Sequence, residues 1–367
     1  MPHCASAAEV SSVLIVAVII IYQQIQFIQA VNPGFNKDNV IRIDAEGRIA
    51  GTEQTFANEL KNIPGVVNAS YTFANIIGHT FGDYGLDWTG KGPDEKVYFE
   101  VFGGGYDLIK TLGMNIVDGR GFSRDFGADT ANIILNEAAV KMMNLKNPVG
   151  KTVQLYEHPM QVIGVVKDFH FESLHEAVKP SYILLQPHGG KIVARIGATG
   201  QRKIIAAVQH LYEKYNPGFP FIFNFLNEAY QKQYDAETRV AVLSRYFAGL
   251  AIIISCLGLF GLAAFTAQKR RKEIGIRKVI GASVGNITTM LSKDFLKLIL
   301  LSLLISFPVS WWLMNDWLRG FAYRISITPQ VFVVAGLSVM LITILTISYQ
   351  SVKAAMTNPA KSLKTAE

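Results

Sequence analysis

Long apolar blocks dominate the last third of the chain. Three of them contain 21, 17 and 17 consecutive residues without Asp, Glu, Lys or Arg. A hydrocarbon core of about 30 Å needs about 20 helical residues, or slightly fewer when the ends snorkel. Because the blocks also lack the polar face of a soluble helix, we predict transmembrane helices at about 246–266, 295–314 and 329–349.

A fourth, shorter apolar block, Val10–Tyr22, lies near the N-terminus. It continues through QQIQFIQA without Gly or Pro, until the Asn-Pro-Gly sequence at 32–34 ends it. The pattern predicts one helix that crosses the membrane and projects from it as a stalk. No basic n-region precedes the block and no small-x-small cleavage site follows it, so we expect an uncleaved anchor rather than a signal peptide.

Residues 35–226 show a different hydrophobic pattern, which is typical of short strands and amphipathic helices. VIRI at 40–43 alternates as a strand does, and Thr52–Asn62 predicts a helix with Thr52 as N-cap before the chain turns into the strand VVNASYT. Further strands are predicted at 96–102, 133–136, 151–155, 161–166, 182–185 and 191–196, and further helices at 106–112, 137–143 and 201–215. This pattern predicts a large α+β domain in two lobes, with the Gly- and Asp-rich loop 78–92 as its most mobile part.

A second polar helix is predicted to run directly into the second span, because NEAYQKQYDAETRVAVLSRYF contains no Gly or Pro from Asn227 until Gly249. The α+β domain is thus inserted between helices 1 and 2, each of which has a stalk. We divide the chain into helix 1 and its stalk (1–31), the α+β domain in two lobes (32–226), and the second stalk with helices 2–4 and a C-terminal tail (227–367).

The connection between the second and third predicted spans is strongly basic. QKRRKEIGIRKVIGAS, at 268–283, has six Lys or Arg residues and one Glu, so the positive-inside rule places it in the cytoplasm together with the lysine-bearing C-terminus. Residues 23–244 carry 21 basic and 23 acidic residues. The net charge of +7 therefore comes from the membrane-flanking parts, and it indicates topology rather than nucleic-acid binding. Four spans place residues 23–244 outside the cytoplasm.

This basic connection is also the candidate site. Glu273 and Arg277 stand at i, i+4, and an apolar face follows them up to Gly281, so a short amphipathic helix is predicted. Such a helix either lies on the bilayer surface with its basic residues near lipid phosphates or docks on a cytoplasmic partner. The candidate residues are Glu273, Ile274, Gly275, Ile276, Arg277, Lys278, Val279, Ile280, Gly281 and Ala282.

Small residues recur at helix-packing spacings inside two of the spans. One stripe is Gly258, Gly261 and Ala264, and the other is Ser302, Ser306 and Ser310. Small side chains let helix backbones approach each other closely. The stripes predict membrane packing, either within one bundle or across a dimer, and the sequence leaves both open.

Candidates for chemistry elsewhere are weak. GLDWTGKG at 85–92 has a glycine where a P-loop carries its hydroxyl, and LKNPVGKT at 145–152 lacks the first glycine. The segment 168–175, DFHFESLH, holds two acids and two histidines, but such a surface cluster is more often solvated than metal-bound. We expect no catalytic residue, metal or cofactor site in this chain.

The order of motifs resembles a known family of permeases. RRKEIGIRKVIGAS, followed by two spans and the tail VKAAMTNPAKSLK, resembles the FtsX-like permease domain. The runs IILNEAAVKMMNLKNPVGKTVQL and MQVIGVVKDFHFESLHEAVKPSYILL resemble the periplasmic core of MacB-type permeases. The likeness begins at Val10, and the first residues do not match the cytoplasmic helix that usually opens such permeases.

This resemblance implies a non-enzymatic, dimeric permease subunit of an ABC-type system in the bacterial inner membrane, with residues 23–244 in the periplasm. ATP and Mg would belong to a partner ATPase, which acts on the helix at 273–282 while the stalks relay the movement outward, a scheme called mechanotransmission. The implied work is export of a drug or peptide, or release of a lipoprotein, with a periplasmic adaptor or lipoprotein as a further partner. The alternative is a membrane-anchored sensor, binding module or cell-envelope regulator without transport.

Overall fold

The computed structural model describes residues 2–78, 81–127, 129–270, 273, 276–277 and 280–355. The chain divides into two compact units. One unit is Val31–Asp235, which we call the α+β domain. The other consists of Met1–Ala30 and Ala236–Glu367, and we call it the helical unit.

The elements are numbered in chain order within the described ranges. The longer helices are α1 (Pro2–Ala30), α2 (Glu53–Lys61), α3 (Leu108–Leu112), α4 (Glu137–Met142), α5 (Gln201–Tyr215), α6 (Leu226–Lys232), α7 (Asp235–Lys269), α8 (Val284–Leu318) and α9 (Pro329–Ala355). The strands are β1 (Val40–Asp44), β2 (Val66–Thr72), β3 (Gly82–Asp83), β4 (Leu86–Asp87), β5 (Phe99–Gly104), β6 (Ile116–Gly119), β7 (Asn132–Asn136), β8 (Thr152–Leu155), β9 (His158–Val166), β10 (Ser181–Leu185), β11 (Lys191–Ile196) and β12 (Phe223–Phe225).

The helical unit is built on α1, α7, α8 and α9. Their apolar parts are Glu9–Ala30, Asp235–Thr266, Phe295–Leu318 and Pro329–Tyr349. By length and composition, these are the helices within the described residues that could cross a membrane. The prediction of four apolar helices is therefore confirmed, and each predicted span falls inside one of them.

Three of these helices share a well-packed core. Val16 and Ile20 of α1 are fully buried against Leu318 of α8 and against Val331 and Ala335 of α9. The apolar part of α7 is only 17% buried, whereas 28–44% of the other three is buried. Most of the α7 surface is thus open on the outside of the unit.

The strands of the α+β domain form one hydrogen-bonded network. Its order is β12-β1-β11-β2-β5-β10-β7-β9-β8-β4, with β3 beside β5 and β6 beside β9. The pairs β5–β10 and β7–β9 are parallel, and the other pairs are antiparallel. The described strands of this domain thus belong to one sheet, and the division into two lobes stays a prediction.

Apolar side chains cover both faces of this sheet. On one face, Ile41 of β1 packs with Phe56 of α2 and Tyr212 of α5. On the opposite face, Phe102 of β5 contacts the rings of Phe169 and Phe171 at centroid distances of 5.1 and 4.9 Å. Alternation of side chains along the strands explains why neighbouring residues enter different cores.

Most predicted elements of this domain are present. β2, β11 and α5 have the predicted bounds, and other ends shift by a few residues. The pattern did not predict β6 and β12, or the two-residue strands β3 and β4, which lie inside the loop expected to be mobile.

Asp83 of β3 accepts hydrogen bonds from the hydroxyls of Tyr156 (2.7 Å) and Tyr182 (2.8 Å), so this part of the loop is anchored. Burial first, and then Asp83, raises the pKa of Tyr182.

The second predicted stalk is not one continuous helix. α6 ends at Lys232 and α7 begins at Asp235, with a turn at Gln233 and Tyr234 between them. The Gln233 side chain donates from Nε2 to the Phe171 carbonyl oxygen, and the buried Tyr234 hydroxyl accepts from the Leu174 amide. These tertiary hydrogen bonds outweigh the local helix propensity, which is a weak determinant.

Thr52 also differs from the prediction. It precedes α2 as the N-cap residue, but its side chain accepts no hydrogen bond from the helix. Its hydroxyl instead donates to the Arg48 carbonyl oxygen at 2.6 Å. The threonine therefore closes the preceding turn rather than capping the helix.

Candidate functional site

The candidate site is the connection between α7 and α8, which we call the coupling segment (residues 270–283). Its described helical residues include Glu273 and Arg277, which form the predicted i, i+4 ion pair at 3.0 Å. The Ala282 amide donates to the Arg277 carbonyl oxygen, and Gly281 has a φ of 93°. This six-to-one hydrogen bond around a left-handed residue is a Schellman motif. It ends the short helix at the glycine, as predicted.

A second cap follows immediately. Ser283 has extended backbone angles, and its hydroxyl accepts from the Asn286 amide at 3.2 Å, so it caps the N-terminus of α8. Ser283 directly follows Ala282, the last residue of the Schellman motif, so the two caps are adjacent in the chain. Two capping motifs this close together define the direction in which the chain re-enters the long helix.

Two apolar side chains of the coupling segment are exposed. Ile276 is 53% and Ile280 is 79% exposed, although they stand one turn apart on the same face. The charged pair Glu273 and Arg277 is exposed beside them. The segment thus presents isoleucine and charge together on an open surface. The candidate residues Ile274, Gly275, Lys278 and Val279 lie outside the described residues.

The serine stripe faces the interior of the helical unit. Ser302, Ser306 and Ser310 are 0–2% exposed. The Ser12 hydroxyl of α1 donates to Ser306 at 2.6 Å, and the hydroxyls of Ser11 and Ser255 lie 2.7 Å apart. Sequence reasoning missed the serine pair of α1, although two adjacent hydroxyls in an otherwise apolar helix are an available clue.

The glycine stripe lies on α7 and faces outward. Gly258 and Gly261 are exposed, and a Cβ atom on either would meet nothing within 4 Å in the described structure. Ala264 is half-buried. The two stripes predicted from one spacing rule therefore lie in different surroundings, one inside the unit and one on its open side.

A buried glutamine fixes the outer end of the helical unit. Gln24 of α1 is fully buried and donates from Nε2 to the Tyr323 carbonyl oxygen at 3.0 Å. Its Oε1 accepts from the Ile325 amide, also at 3.0 Å. The side chain thus satisfies two backbone groups of the loop between α8 and α9. The sequence showed Gln24 only as a polar residue after an apolar block.

The remaining candidates for chemistry lie in the α+β domain. The segment 145–152 leads into strand β8, whereas a P-loop leads into a helix. Among the described residues, no three His, Cys, Asp or Glu side chains are arranged to hold a metal ion. Burial lowers the pKa of His170 and raises that of Asp168.

In chain order, the α+β domain follows one apolar helix and precedes three more. This arrangement defines the class of multi-spanning membrane proteins with one large domain outside the spans. Residues 245–359 match the FtsX-like permease C-terminal family, and residues 11–186 match the MacB-like periplasmic core domain. The chain therefore carries a MacB-like periplasmic core domain followed by an FtsX-like permease C-terminal domain. It is a multi-pass protein of the inner-membrane type, with its α+β domain in the periplasm.

Curated relatives agree with this assignment. The Macrolide export ATP-binding/permease protein MacB of Aggregatibacter actinomycetemcomitans is 27% identical over 206 residues, which are 51% of this chain and 31% of the relative. The Pyoverdine export ATP-binding/permease protein PvdT of Pseudomonas aeruginosa is 23% identical over 202 residues, 51% of this chain and 30% of the relative. The chain matches only about a third of the length of these relatives.

Solved structures of extracytoplasmic domains are also similar to this chain. The periplasmic region of MacB from Actinobacillus actinomycetemcomitans is 17% identical, with a TM-score of 0.39, and the match covers 55% of this chain and 94% of that one. The extracellular domain of the noncanonic ABC-type transporter YknZ from Gram-positive bacteria is 16% identical, with a TM-score of 0.37 and coverage of 51% and 98%.

Proposed function

We propose that this chain is the permease subunit of an ABC-type system and that a separate ATPase drives it through the coupling segment. ATP hydrolysis by that partner is coupled to export or extraction of an envelope substrate, namely a drug, a peptide or a lipoprotein. The chain itself catalyses no reaction. The observation that carries the proposal is the capped, amphipathic turn between α7 and α8 in a chain of the FtsX-like permease family.

The coupling segment has the features that a docking element needs. Ile276 and Ile280 supply exposed apolar surface, and the basic residues around them supply charge. A short apolar face framed by charges fits a groove on a protein partner. The Schellman motif and the Ser283 cap favour a fixed exit into α8, so that a displacement of the segment is passed to that helix instead of being absorbed by a flexible loop.

ATP and Mg belong to the partner in this proposal. The relatives are named ATP-binding/permease proteins, whereas the family models that match this chain are those of the permease and core domains. The Gly-Lys-Thr sequence at 150–152 does not open a helix. A partner would therefore supply the phosphate-binding loop and the metal.

Mechanotransmission is supported by the length of α7. This helix has 35 residues, which correspond to about 50 Å at 1.5 Å per residue. It begins directly after the α+β domain and ends at the coupling segment, so it is a continuous covalent connection between them. A helix of this kind can carry a displacement along its axis without a polar pathway through the membrane.

A second permease subunit is part of the proposal. Helix-interior glycine costs about 1 kcal/mol relative to alanine, and a lipid-facing surface has no need of it. Gly258 and Gly261 nevertheless lie on the open face of α7. A close helix contact with another permease copy or a homologous subunit would use this face.

The test replaces one charged and one apolar residue of the coupling segment. Tagged wild-type chain and the variants Arg277→Glu and Ile280→Asp are purified from the source bacterium, and the co-purified ATP hydrolysis and ABC ATPase are measured. We expect both variants to lose about tenfold or more of the co-purified ATPase, because an interface anchor is replaced by an unpaired charge. Arg319→Glu, an exposed change beyond the other end of α8, is the matched control and should behave as wild type.

The same experiment separates the alternative function. If both variants retain the ATPase and the cells retain substrate efflux, the coupling role is wrong. A membrane-anchored sensor or binding module without transport would then be favoured.

A further inference from the structure

The α+β domain contains a cavity that the proposed function does not use. It has a volume of about 330 Å³, within the usual range for small-molecule sites. Strands β1 and β12, helix α6 and the chain at Ile77 and Gly78 line it. None of these residues belongs to the coupling segment. The polar groups of its wall are Arg42, Asn224, Glu228, Lys232 and Gln233.

Arg42 is the first sign of a binding site. Its neighbours Ile41 and Ile43 pack into one core, and side-chain alternation puts Arg42 on the opposite face of β1, with Val40. The residue is half-buried. Throughout the described ranges, its guanidinium forms neither an ion pair nor a hydrogen bond. The guanidinium, which has five N–H donors, therefore borders the cavity without an acceptor among the described residues.

The wall also carries an unpaired negative charge. Glu228 and Lys232 stand one turn apart on α6, and both line the cavity. As far as the structure describes the chain, the Glu228 carboxylate pairs with neither Lys232 nor Arg42, so their N and O atoms lie more than 4.0 Å apart. Opposite charges that share a wall without contact can be bridged by a ligand that carries both charges.

Gln233 also borders the cavity, but its side-chain amide is held by the protein. Its Nε2 donates to the Phe171 carbonyl oxygen, which fixes the orientation of the amide. Its Oε1 is buried and has no hydrogen-bond donor in the described structure. Buried polar groups are normally satisfied. Because that oxygen is closed off from solvent, the groups of the wall that a ligand can reach without a protein partner are the Arg42 guanidinium and the Glu228 carboxylate.

We propose that this cavity binds a small zwitterion of the α-amino acid class. The ligand carboxylate pairs with the Arg42 guanidinium, which suits a planar, two-oxygen group. The ligand ammonium pairs with Glu228, and Lys232 and Asn224 border the carboxylate end. A simple anion would satisfy only the cations, and a simple amine only Glu228. This site is independent of the coupling segment, so its failure would leave the proposed function unaffected.

The test is isothermal titration calorimetry of the full chain in lipid nanodiscs. The probes are L-alanine, L-leucine and L-glutamate, with L-alaninamide lacking the carboxylate, propionate lacking the ammonium, and inorganic phosphate as a general anion. We expect at least one amino acid to bind with a Kd at or below about 1 mM. L-Alaninamide should bind at least tenfold more weakly than L-alanine. Propionate and phosphate should likewise bind at least tenfold more weakly than the amino acid.

Two variants and one control locate the site. Arg42→Met should weaken amino acid binding about tenfold or more, and Glu228→Gln severalfold, because each removes a charge-assisted hydrogen bond. Glu228 is exposed, so its variant keeps the test valid even if Arg42→Met proves unstable in melting experiments. Arg202→Met, an exposed change on α5, should bind as wild type. The proposal is overturned if no amino acid binds, if phosphate binds equally well, or if Glu228→Gln leaves affinity unchanged.

Discussion

Asp129 is a buried carboxylate of the α+β domain that accepts hydrogen bonds from three residues. It is fully buried and accepts from both terminal nitrogens of Arg120, at 2.8 and 2.9 Å. The Ser123 amide and the Asn132 side chain donate to it as well. Arg120, followed by these donors, lowers the pKa of Asp129. Burial alone would have raised that pKa, so hydrogen bonding outweighs desolvation here.

Asp129→Asn should lower the free energy of unfolding of this domain by about 2 kcal/mol at pH 7, because Arg120 loses its charged acceptor. The native pKa lies below the unfolded value of about 3.9, so the stabilisation is present above that value. It is lost as the pH falls through the native pKa. Thermal unfolding followed by circular dichroism should therefore show a difference between wild type and variant that shrinks below about pH 4.

The matched control is Asp125→Asn, at an exposed carboxylate four residues away. It should change stability by less than about 0.5 kcal/mol. A stability difference for Asp129→Asn that stays constant from pH 7 to pH 3 would contradict the linkage argument.

The contacts of a side chain could be predicted from the sequence where its partner is near in the chain. The spacing of Glu273 and Arg277 was sufficient to predict their ion pair. Ser12 and Gln24 could not be predicted in the same way, because their partners lie about 300 residues away. A hydrophobic pattern shows that a polar residue is unusual within an apolar block, but it does not identify the hydrogen-bond partner of that residue.

Helices and strands could likewise be predicted where local sequence alone determines them. The four apolar helices are set by length and composition, which are properties of the segment itself. The break between α6 and α7 is set by the hydrogen bond that Gln233 donates to Phe171 and the one that Tyr234 accepts from Leu174, so no local pattern could predict it. The very short strands β3 and β4 offer too few residues to show alternation.

The end of the coupling helix gives a prediction at this scale. Gly281 has a φ of 93°, a conformation that costs other residues about 1–2 kcal/mol. Gly281→Ala should therefore loosen the Schellman motif, and limited proteolysis of nanodisc-embedded chain should cut the segment 270–283 severalfold faster. The built Cβ atom meets no neighbour within 4 Å in the described structure, so the effect is backbone strain and not a clash.

Gly285 provides the comparison for this variant. It lies in the first turn of α8 without a positive φ, and a Cβ atom there meets only Ser283 Oγ, at 3.7 Å. Gly285→Ala should slow proteolysis or leave it unchanged, because alanine favours the helix. Equal acceleration in both variants would show that the left-handed cap is not what protects the segment.

At the scale of the molecule, the order of the strands in the sheet could not be predicted from the sequence alone. β1 pairs with β11 and β12, which follow it by about 150 and 180 residues. Pairing over such distances depends on the whole core, whereas strand existence depends on local alternation. The α+β class was therefore predictable, but the single twelve-stranded network was not.

The predicted topology can be tested with single cysteines in a background without Cys4 and Cys256. Lys203→Cys places a thiol on exposed α5, and Ile280→Cys places one in the coupling segment. A membrane-impermeant maleimide should label the first in spheroplasts and the second only after lysis, because the basic segment stays in the cytoplasm. Labelling of both positions in intact spheroplasts would contradict the topology.

The buried amide of Gln24 also has a consequence for biogenesis. Helix α1 is synthesised before the loop that satisfies the Gln24 amide, because that loop follows it by about 300 residues. During that interval, the side chain must stay hydrated or borrow a temporary partner, because an unpaired amide in a nonpolar surrounding is costly. The nascent chain can therefore complete the outer end of its bundle only after the loop between α8 and α9 has been made, so that insertion of these two helices is the step that locks α1 in place.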